Sequence, residues 1–160
     1  MNILFCLARE EDTELAISIQ NEAFFDDFKR YGFCSSYDRD FEQMKWIIKH
    51  NEKRSSSICY YDYLILENDM PVGNMILKDR GNGEYHLSSL CIITSHRSKG
   101  IGSKALQFIE SEFKDCKVIS VETPADKDEN IFFYWKNGFQ VIELISSHGI
   151  SCALLEKKLK

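Results

Sequence analysis

Three β-rich segments in a row, followed by a glycine-bearing loop that opens a helix, constrain the fold of this chain most. The segments are residues 57–66, 70–78 and 84–93, and polar turn-forming residues separate them. Aromatic and β-branched residues favour strands, so the pattern predicts an antiparallel meander. The loop 94–102 then leads into a helix that reaches about Lys114. Such a meander does not fit the parallel sheet of a dinucleotide-binding fold.

The elements on either side of the meander complete a mixed architecture. A strand (3–8), a helix from Asp12 or Thr13 to about Phe25 and a second helix (38–50) are predicted before it. A strand (118–121), a helix (126–137) that Gly138 stops, and strands 139–145 and 150–155 are predicted after it. We therefore expect a single α/β (α+β) domain over residues 1–160, with a mixed, mostly antiparallel sheet and helices on both faces.

Composition and charge exclude several classes of function. The chain has 160 residues, of which 44% are hydrophobic, and its net charge is −5. A net-acidic chain is not a general nucleic-acid binder, because such binders neutralise many phosphates. No apolar run reaches the roughly 18 residues that a membrane helix needs. The first ten residues do not resemble a signal peptide, so we expect a cytoplasmic location.

The cysteines are widely separated and most lie in apolar strings. No Cys-x-x-Cys pair occurs, so a zinc site is not expected. We interpret them as buried, reduced thiols that act as small hydrophobic residues. The six are Cys6, Cys34, Cys59, Cys91, Cys116 and Cys152.

The loop Arg97-Ser98-Lys99-Gly100-Ile101-Gly102 has the features of an anion site. It follows a predicted strand and opens a helix, whose N-terminus offers free backbone N–H groups and partial positive charge. Glycines would let a ligand approach the backbone closely. From Tyr85 to Ile109 there is no acidic residue, whereas Arg97, Lys99 and Lys104 are present. The P-loop pattern is absent, and an ordinary strand–helix turn remains the alternative.

Two segments carry a resemblance to a known family. Residues 90–106 (LCIITSHRSKGIGSKAL) resemble the acetyl-CoA motif of the GNAT superfamily of N-acetyltransferases, Gln/Arg-x-x-Gly-x-Gly/Ala after a strand. Residues 133–139 (FYWKNGF) resemble the family's Tyr-x-Lys-x-Gly-Phe segment. Their order and spacing, and the predicted order of elements, match the family over the whole chain.

The resemblance implies a reaction and a cofactor. It implies an acetyl-CoA-dependent N-acetyltransferase that needs no metal and transfers acetyl directly to the primary amine of a small molecule or a peptide. A GNAT-like module that binds acyl-CoA without catalysis is the alternative. The loop amides would wrap the diphosphate, and the strand before the loop would pair with the pantetheine arm. The implied cofactor-binding residues are Leu90, Cys91, Ile92, Arg97, Ser98, Lys99, Gly100, Ile101, Gly102, Ser103 and Asn130.

This reaction requires two proton transfers: the amine must lose a proton, and the departing thiolate must gain one. Tyr134 aligns with the family's general acid, which protonates the departing thiolate. As base we rank His86 first, because imidazole titrates near neutral pH, then Glu84 and Glu122. Strand alternation would place Glu84, His86, Ser88, Leu90 and Ile92 on one face, with Cys91 and Ile93 turned towards the core or a helix.

Two further expectations concern ligands and partners. Lys127 stands where the family often has an asparagine that contacts the cofactor arm, and Asn130 lies one turn later. Aromatic residues alternate with aspartates between Phe24 and Asp40, which suits a cationic amine acceptor. The same residues also fit an aromatic core with a solvated acidic face. A nucleic-acid or membrane partner is not expected, and a homodimer is possible.

Overall fold

The computed structural model describes residues 1–50 and 59–159. Residues 57 and 58, the predicted start of the second strand, lie outside the described part. The strands are β1 (Ile3–Leu7), β2 (Cys59–Glu67), β3 (Met70–Asp79), β4 (Glu84–Ile92), β5 (Val118–Pro124), β6 (Gln140–Ser147) and β7 (Ile150–Lys158). The helices are α1 (Thr13–Tyr31), α2 (Phe41–Lys49), α3 (Ile101–Glu112) and α4 (Asp128–Lys136), and short 3₁₀ turns occupy Glu10–Asp12 and Thr94–His96.

The described strands form one seven-stranded sheet in the order β1-β2-β3-β4-β5-β7-β6. β4 and β5 pair in parallel, and the other neighbouring strands pair antiparallel. One core lies on the α3 face, where Leu106 and Ile109 pack with Ile119. The other lies on the α1 and α2 face, where Ile19 and Met44 pack with Ile76. The predicted mixed, mostly antiparallel sheet with helices on both faces is confirmed.

Helix α1 runs six residues further than the sequence pattern predicts, from Phe25 to Tyr31. Gly32 ends it in the left-handed conformation (φ 73°), and its N–H donates to the Phe28 carbonyl at 2.8 Å. Lys29 and Arg30 in the last turn suit the negative end of the helix dipole. The extra length places Asp27 and Tyr31 in the lining of a cavity that is described below.

A β-bulge in β4 overturns one prediction. Leu87 pairs with Leu77 and Ser89 pairs with Ile76, so Ser88 is an extra residue in β4. An extra residue reverses the alternation of faces along the strand. Leu87 accordingly packs in the α3-side core, whereas Cys91 packs in the core on the α1 side. The prediction that the even-numbered residues from 84 to 92 share one face is therefore wrong, while the prediction that Cys91 turns into a core is confirmed.

A gap opens between the two parallel strands in the middle of the sheet. The pairing of β4 with β5 runs from Glu84 opposite Val118 to Leu87 opposite Val121 and then stops. Both strands continue beyond that point, to Ile92 and Pro124. Among the described strands, β4 after the bulge keeps its partner β3 and has no partner on the β5 side. One of the two cavities described below lies in this gap, and the other adjoins it.

The cysteines differ in part from the prediction. All six are free thiols, and Cys59, Cys91 and Cys116 are buried as expected. Cys6, on the edge strand β1, is exposed. Within residues 1–50 and 59–159, no helix is both long and apolar enough to cross a bilayer.

Candidate active site

The loop that precedes α3 presents a row of unused backbone donors. Ser98 (φ 64°) and Gly100 (φ 83°) both adopt the left-handed conformation. Among the described residues, the N–H groups of 98 to 103 donate no hydrogen bond within the protein. The N–H of Arg97 on one side donates to Thr94, and the N–H of Lys104 on the other donates to Gly100. Free amides at a helix N-terminus are suited to an anion, which is the role that the sequence analysis predicts for this loop.

The two glycines of this loop serve different purposes. A Cβ on Gly100 would meet no atom within 4 Å, so this position borders open space on the ligand side. A Cβ on Gly102 would lie 2.9 Å from the Phe133 ring of α4. The absence of a side chain at Gly102 therefore allows α3 to pack closely against α4. Its backbone does not adopt a conformation that requires glycine.

The basic side chains of the loop are bound to the protein itself. The guanidinium of Arg97 donates to the Ile92 carbonyl at 2.8 Å and to the Ala23 carbonyl at 2.6 Å. The ammonium of Lys99 donates to the Glu67 carboxylate at 3.2 Å. Their side chains therefore stabilise the loop, and its amides are the main donors left for an anion.

Two adjoining cavities share part of their lining, and one of them borders this loop. The first, of about 610 Å³, lies between the loop, the end of β4 and α4, and we call it the loop cavity. The second, of about 360 Å³, lies between β4 and β5 under the α1–α2 segment, and we call it the gap cavity. The residues that line both are Phe24, Asp27, Leu90, Asn130 and Tyr134.

Most of the predicted cofactor-binding residues line the loop cavity together. The one exception is Lys99, whose side chain is directed to Glu67. The predicted residues that line it are Leu90, Cys91, Ile92, Arg97, Ser98, Gly100, Ile101, Gly102, Ser103 and Asn130.

Tyr134 lies at the junction of the two cavities. Its side chain is only 6% exposed and packs edge-on against the Phe139 ring, with centroids 5.3 Å apart. Among the described residues its hydroxyl has no hydrogen-bond partner. Burial, and to a smaller extent the Cys91 thiol, raise the pKa of Tyr134 above its usual value. The phenol therefore keeps its proton and can give it to a strongly basic atom placed beside it.

The comparison with known families agrees with this geometry. The sequence pattern of the acetyltransferase (GNAT) family matches residues 18–139, which include the loop, the gap and Tyr134. The chain belongs to the GNAT family. Members of this family use acetyl-CoA as acyl donor. No curated protein matches the chain in sequence.

Several solved structures share the GNAT fold with this chain at low sequence identity. The PaiA N-acetyltransferase of Thermoplasma acidophilum, solved with coenzyme A, has a TM-score of 0.79 at 19% identity, with 99% of this chain and 100% of that chain covered. The ribosomal-protein-S18-alanine N-acetyltransferase of Escherichia coli has a TM-score of 0.75 at 12% identity, with 98% and 94% covered. A spermidine N-acetyltransferase chimera from Vibrio cholerae and hSSAT has a TM-score of 0.75 at 10% identity, with 99% and 96% covered. Similarity at this level of identity shows the fold. The acceptors named for two of these proteins, a ribosomal-protein alanine and spermidine, are chemically different.

His86 lines the gap cavity of this GNAT domain, but it does not titrate where the sequence suggests. Its Nδ1 lies 2.7 Å from the Ser120 hydroxyl. Burial, with smaller contributions from Arg80 and Lys78, lowers the pKa of His86 to about 4. The imidazole is therefore neutral at physiological pH and is a weaker base than a free histidine.

This pKa predicts how the stability of the protein depends on pH. A histidine whose pKa is lowered on folding stabilises the native state fully above its unfolded pKa of about 6.5. That stabilisation is lost as the pH falls from about 6.5 to about 4. We expect urea unfolding between pH 7 and pH 4.5 to show a larger loss of stability in the unmodified protein than in His86→Gln, by on the order of 2 kcal/mol. Equal losses would contradict the buried, neutral imidazole.

The other two base candidates are placed differently. Glu122 lies on β5 and lines the gap cavity, and among the described residues it forms no ion pair. Glu84 is exposed at the start of β4 and lines neither cavity. The structure thus brings His86, Glu122 and Tyr134 to one cavity and leaves Glu84 outside it.

Polar side chains of α1 bridge the cleft to the segment before α4, which the sequence analysis did not foresee. The ammonium of Lys127 donates to the Asp27 carboxylate at 2.6 Å. The hydroxyl of Tyr31 donates to the Asp126 carboxylate at 2.7 Å. Lys127, at the place of the family's asparagine, is thus engaged with α1, and Asn130 donates to Thr123 at 3.1 Å. Residues about 100 positions apart give no local sequence pattern from which such contacts could be predicted.

A buried network of hydrogen bonds connects the sheet to the α1–α2 segment, which lines one side of the gap cavity. Asn74 of β3 donates to the Asp62 carboxylate at 2.6 Å and accepts from the Gln20 amide at 2.7 Å. Gln20 in turn accepts from Arg39 at 3.3 Å, and Arg39 donates to Ser36, which lines the gap cavity. Burial raises the pKa of Asp62 to about 7. The network ties α1 and the α1–α2 segment to the sheet.

Proposed function

We propose that this GNAT protein is an acetyl-CoA-dependent N-acetyltransferase that acetylates the primary amine of a small molecule or a peptide. The observation that carries the proposal is the row of free amides at residues 98–103, which borders a cavity that reaches Tyr134. The fold alone would not separate an enzyme from a binding module. The proton-holding phenol at the junction of two cavities favours the enzyme.

The residues of the loop cavity fit acetyl-CoA. The N–H groups of residues 98–103 and the dipole of α3 suit a diphosphate, and Gly100 leaves the approach open. Beyond the bulge, β4 offers backbone groups on its open side, at which Leu90 and Ile92 would pair with the amides of the pantetheine arm. Bound there, acetyl-CoA supplies an activated acetyl thioester at the junction with the gap cavity.

Different residues of the gap cavity can give a proton to the leaving thiolate and take one from the attacking amine. Tyr134 holds a proton on its hydroxyl, because burial raises the pKa of the phenol, and this proton can pass to the leaving thiolate. Neutral His86 can accept the proton of the attacking amine through its free ring nitrogen, and the Glu122 carboxylate lies in the same cavity. An α-amine, with a pKa of about 7.7–8.0, needs little help, whereas a lysine side chain near 10.4 needs more.

Charge in the gap cavity favours a cationic acceptor. Asp27 is neutralised by Lys127, which leaves Glu122 as the acidic side chain of the cavity with no ion-pair partner among the described residues. The aromatic rings of Phe24, Tyr31 and Phe33 line the same cavity and suit a cation or its alkyl chain. We therefore propose that the acceptor carries a second positive charge besides the reacting amine.

Glu122→Gln tests this acceptor class. We expect the KM for 1,4-diaminobutane to rise roughly tenfold, because a charge-assisted contact is lost, and the KM for butylamine to change less than twofold. Steady-state kinetics at saturating acetyl-CoA measures both. Glu143→Gln, on the exposed strand β6 and outside both cavities, is the matched control. Equal effects of Glu122→Gln on the two amines would contradict recognition of a second charge.

A thermal-shift assay combined with thiol release from acetyl-CoA tests the function itself. Coenzyme A at 100 times its dissociation constant should stabilise the protein by about 2.7 kcal/mol. Thiol release with a panel of amines should then identify an acceptor. Stabilisation without turnover on any amine would support the non-catalytic acyl-CoA-binding module instead. The absence of any shift would overturn acyl-CoA binding altogether.

A further inference from the structure

One buried carboxylate outside both cavities holds two side chains of the diphosphate-binding loop. Glu67 is the last residue of β2, and its side chain is only 8% exposed. Its Oε1 lies 2.7 Å from Nδ1 of His96 and its Oε2 lies 3.2 Å from Nζ of Lys99. The hydrogen bond from His96, together with Lys99, lowers the pKa of Glu67, so it is a carboxylate at neutral pH. Glu67 lines neither cavity, so it does not itself contact a ligand there.

These contacts lie on either side of the strained residue of the loop. Ser98 adopts the left-handed conformation, which non-glycine residues rarely hold without outside restraint. His96 lies two residues before it and Lys99 lies directly after it. Arg97 is held by the carbonyls of Ile92 and Ala23. The backbone that exposes the free amides is thus fixed by contacts that His96, Arg97 and Lys99 make within the protein.

We propose that Glu67 is a positioning residue that, through His96 and Lys99, holds the loop 97–103 in its diphosphate-binding conformation. The inference rests on the proposed function, since it assigns a role towards acetyl-CoA. Without the carboxylate, Lys99 loses its anchor and Ser98 can relax to a common backbone conformation. The free amides of residues 98–103 then lose their fixed arrangement, and affinity for the diphosphate falls.

Glu67→Gln, which keeps the shape of the side chain and removes its charge, tests this role. We expect the KM for acetyl-CoA and the Kd for coenzyme A to rise roughly tenfold. The kcat and the KM for the amine should stay within twofold. With acetylpantetheine, a donor that lacks the diphosphate, kcat/KM should be the same in variant and unmodified protein. Glu110→Gln, which breaks the ion pair with Lys157 at 2.9 Å, is the control and should change none of these values.

The possible outcomes distinguish failure of the positioning role of Glu67 from failure of the proposed function. Coenzyme A affinities that are equal in Glu67→Gln and the unmodified protein would overturn the positioning role alone. An equal loss with acetylpantetheine would also overturn it, because a general structural defect does not depend on the diphosphate. Failure of the unmodified protein to bind coenzyme A would overturn the proposed function and this role with it. Should Glu67→Gln fail to fold, Glu67→Asp carries the same test, since it keeps the charge and shortens the side chain that reaches His96 and Lys99.

Discussion

Gly100→Asp is expected to abolish coenzyme A binding and acetyl transfer together, with a loss of affinity of at least about 100-fold. Gly100 precedes α3 in the left-handed conformation, and a Cβ there would point into open space at the binding face of the loop. A carboxylate at this position would repel the diphosphate. It would also accept hydrogen bonds from the amides of the first helical turn, which the ligand needs. Isothermal titration with coenzyme A measures the effect.

Gly81→Asp is the matched control for this prediction. Gly81 also has a positive φ (87°), and a Cβ there would also meet no atom within 4 Å, but it lies in the β3–β4 turn away from both cavities. Aspartate tolerates this backbone conformation better than most residues, so both variants should fold. The control should bind coenzyme A as the unmodified protein does. Retained affinity in Gly100→Asp would reject the assignment of the loop.

Tyr134→Phe is expected to lower kcat about 100-fold and to leave the Kd for coenzyme A within twofold. The substitution removes the hydroxyl whose proton the leaving thiolate needs and keeps the ring that packs against Phe139. Because burial raises the pKa of Tyr134, the hydroxyl of the unmodified protein is protonated over the whole working range. Pre-steady-state thiol release should show the loss in the chemical step.

Tyr63→Phe is the control for the loss of a buried phenol. Tyr63 is 6% exposed, as Tyr134 is, but it lies on β2 and lines neither cavity. Its variant should keep kcat. A Tyr134→Phe enzyme with unchanged kcat and a rate-limiting chemical step would remove Tyr134 from the acid role, and water or another group would then have to protonate the thiolate.

Local signals were sufficient to predict the order of elements and the anion loop. The polar turns of the meander, the glycines of the loop and the aromatic segment around Tyr134 act through nearby backbone, so their pattern is visible in the sequence. The C-terminal end of α1 was harder to predict, because Phe28 lies on a face of the helix that is only partly packed. Gly32 was the available signal, since glycine commonly ends a helix.

Features that depend on tertiary contacts could not be predicted. The bulge at Ser88 follows from how β4 pairs with β3 and then leaves β5, and no residue type in the segment marks it. The low pKa of His86 follows from burial that only the packed sheet creates. Gly102 was assigned to ligand approach, yet its space is filled by Phe133. Glu67 was seen only as a turn residue, because its partners come about 30 residues later.

A crystal structure of the protein with acetyl-CoA would show whether the loop before α3 binds the diphosphate. We expect diphosphate oxygens at about 2.8–3.2 Å from backbone nitrogens of residues 98–103, and the thioester beside Tyr134. Acetyl-CoA bound at another place, with these amides still facing solvent, would contradict it.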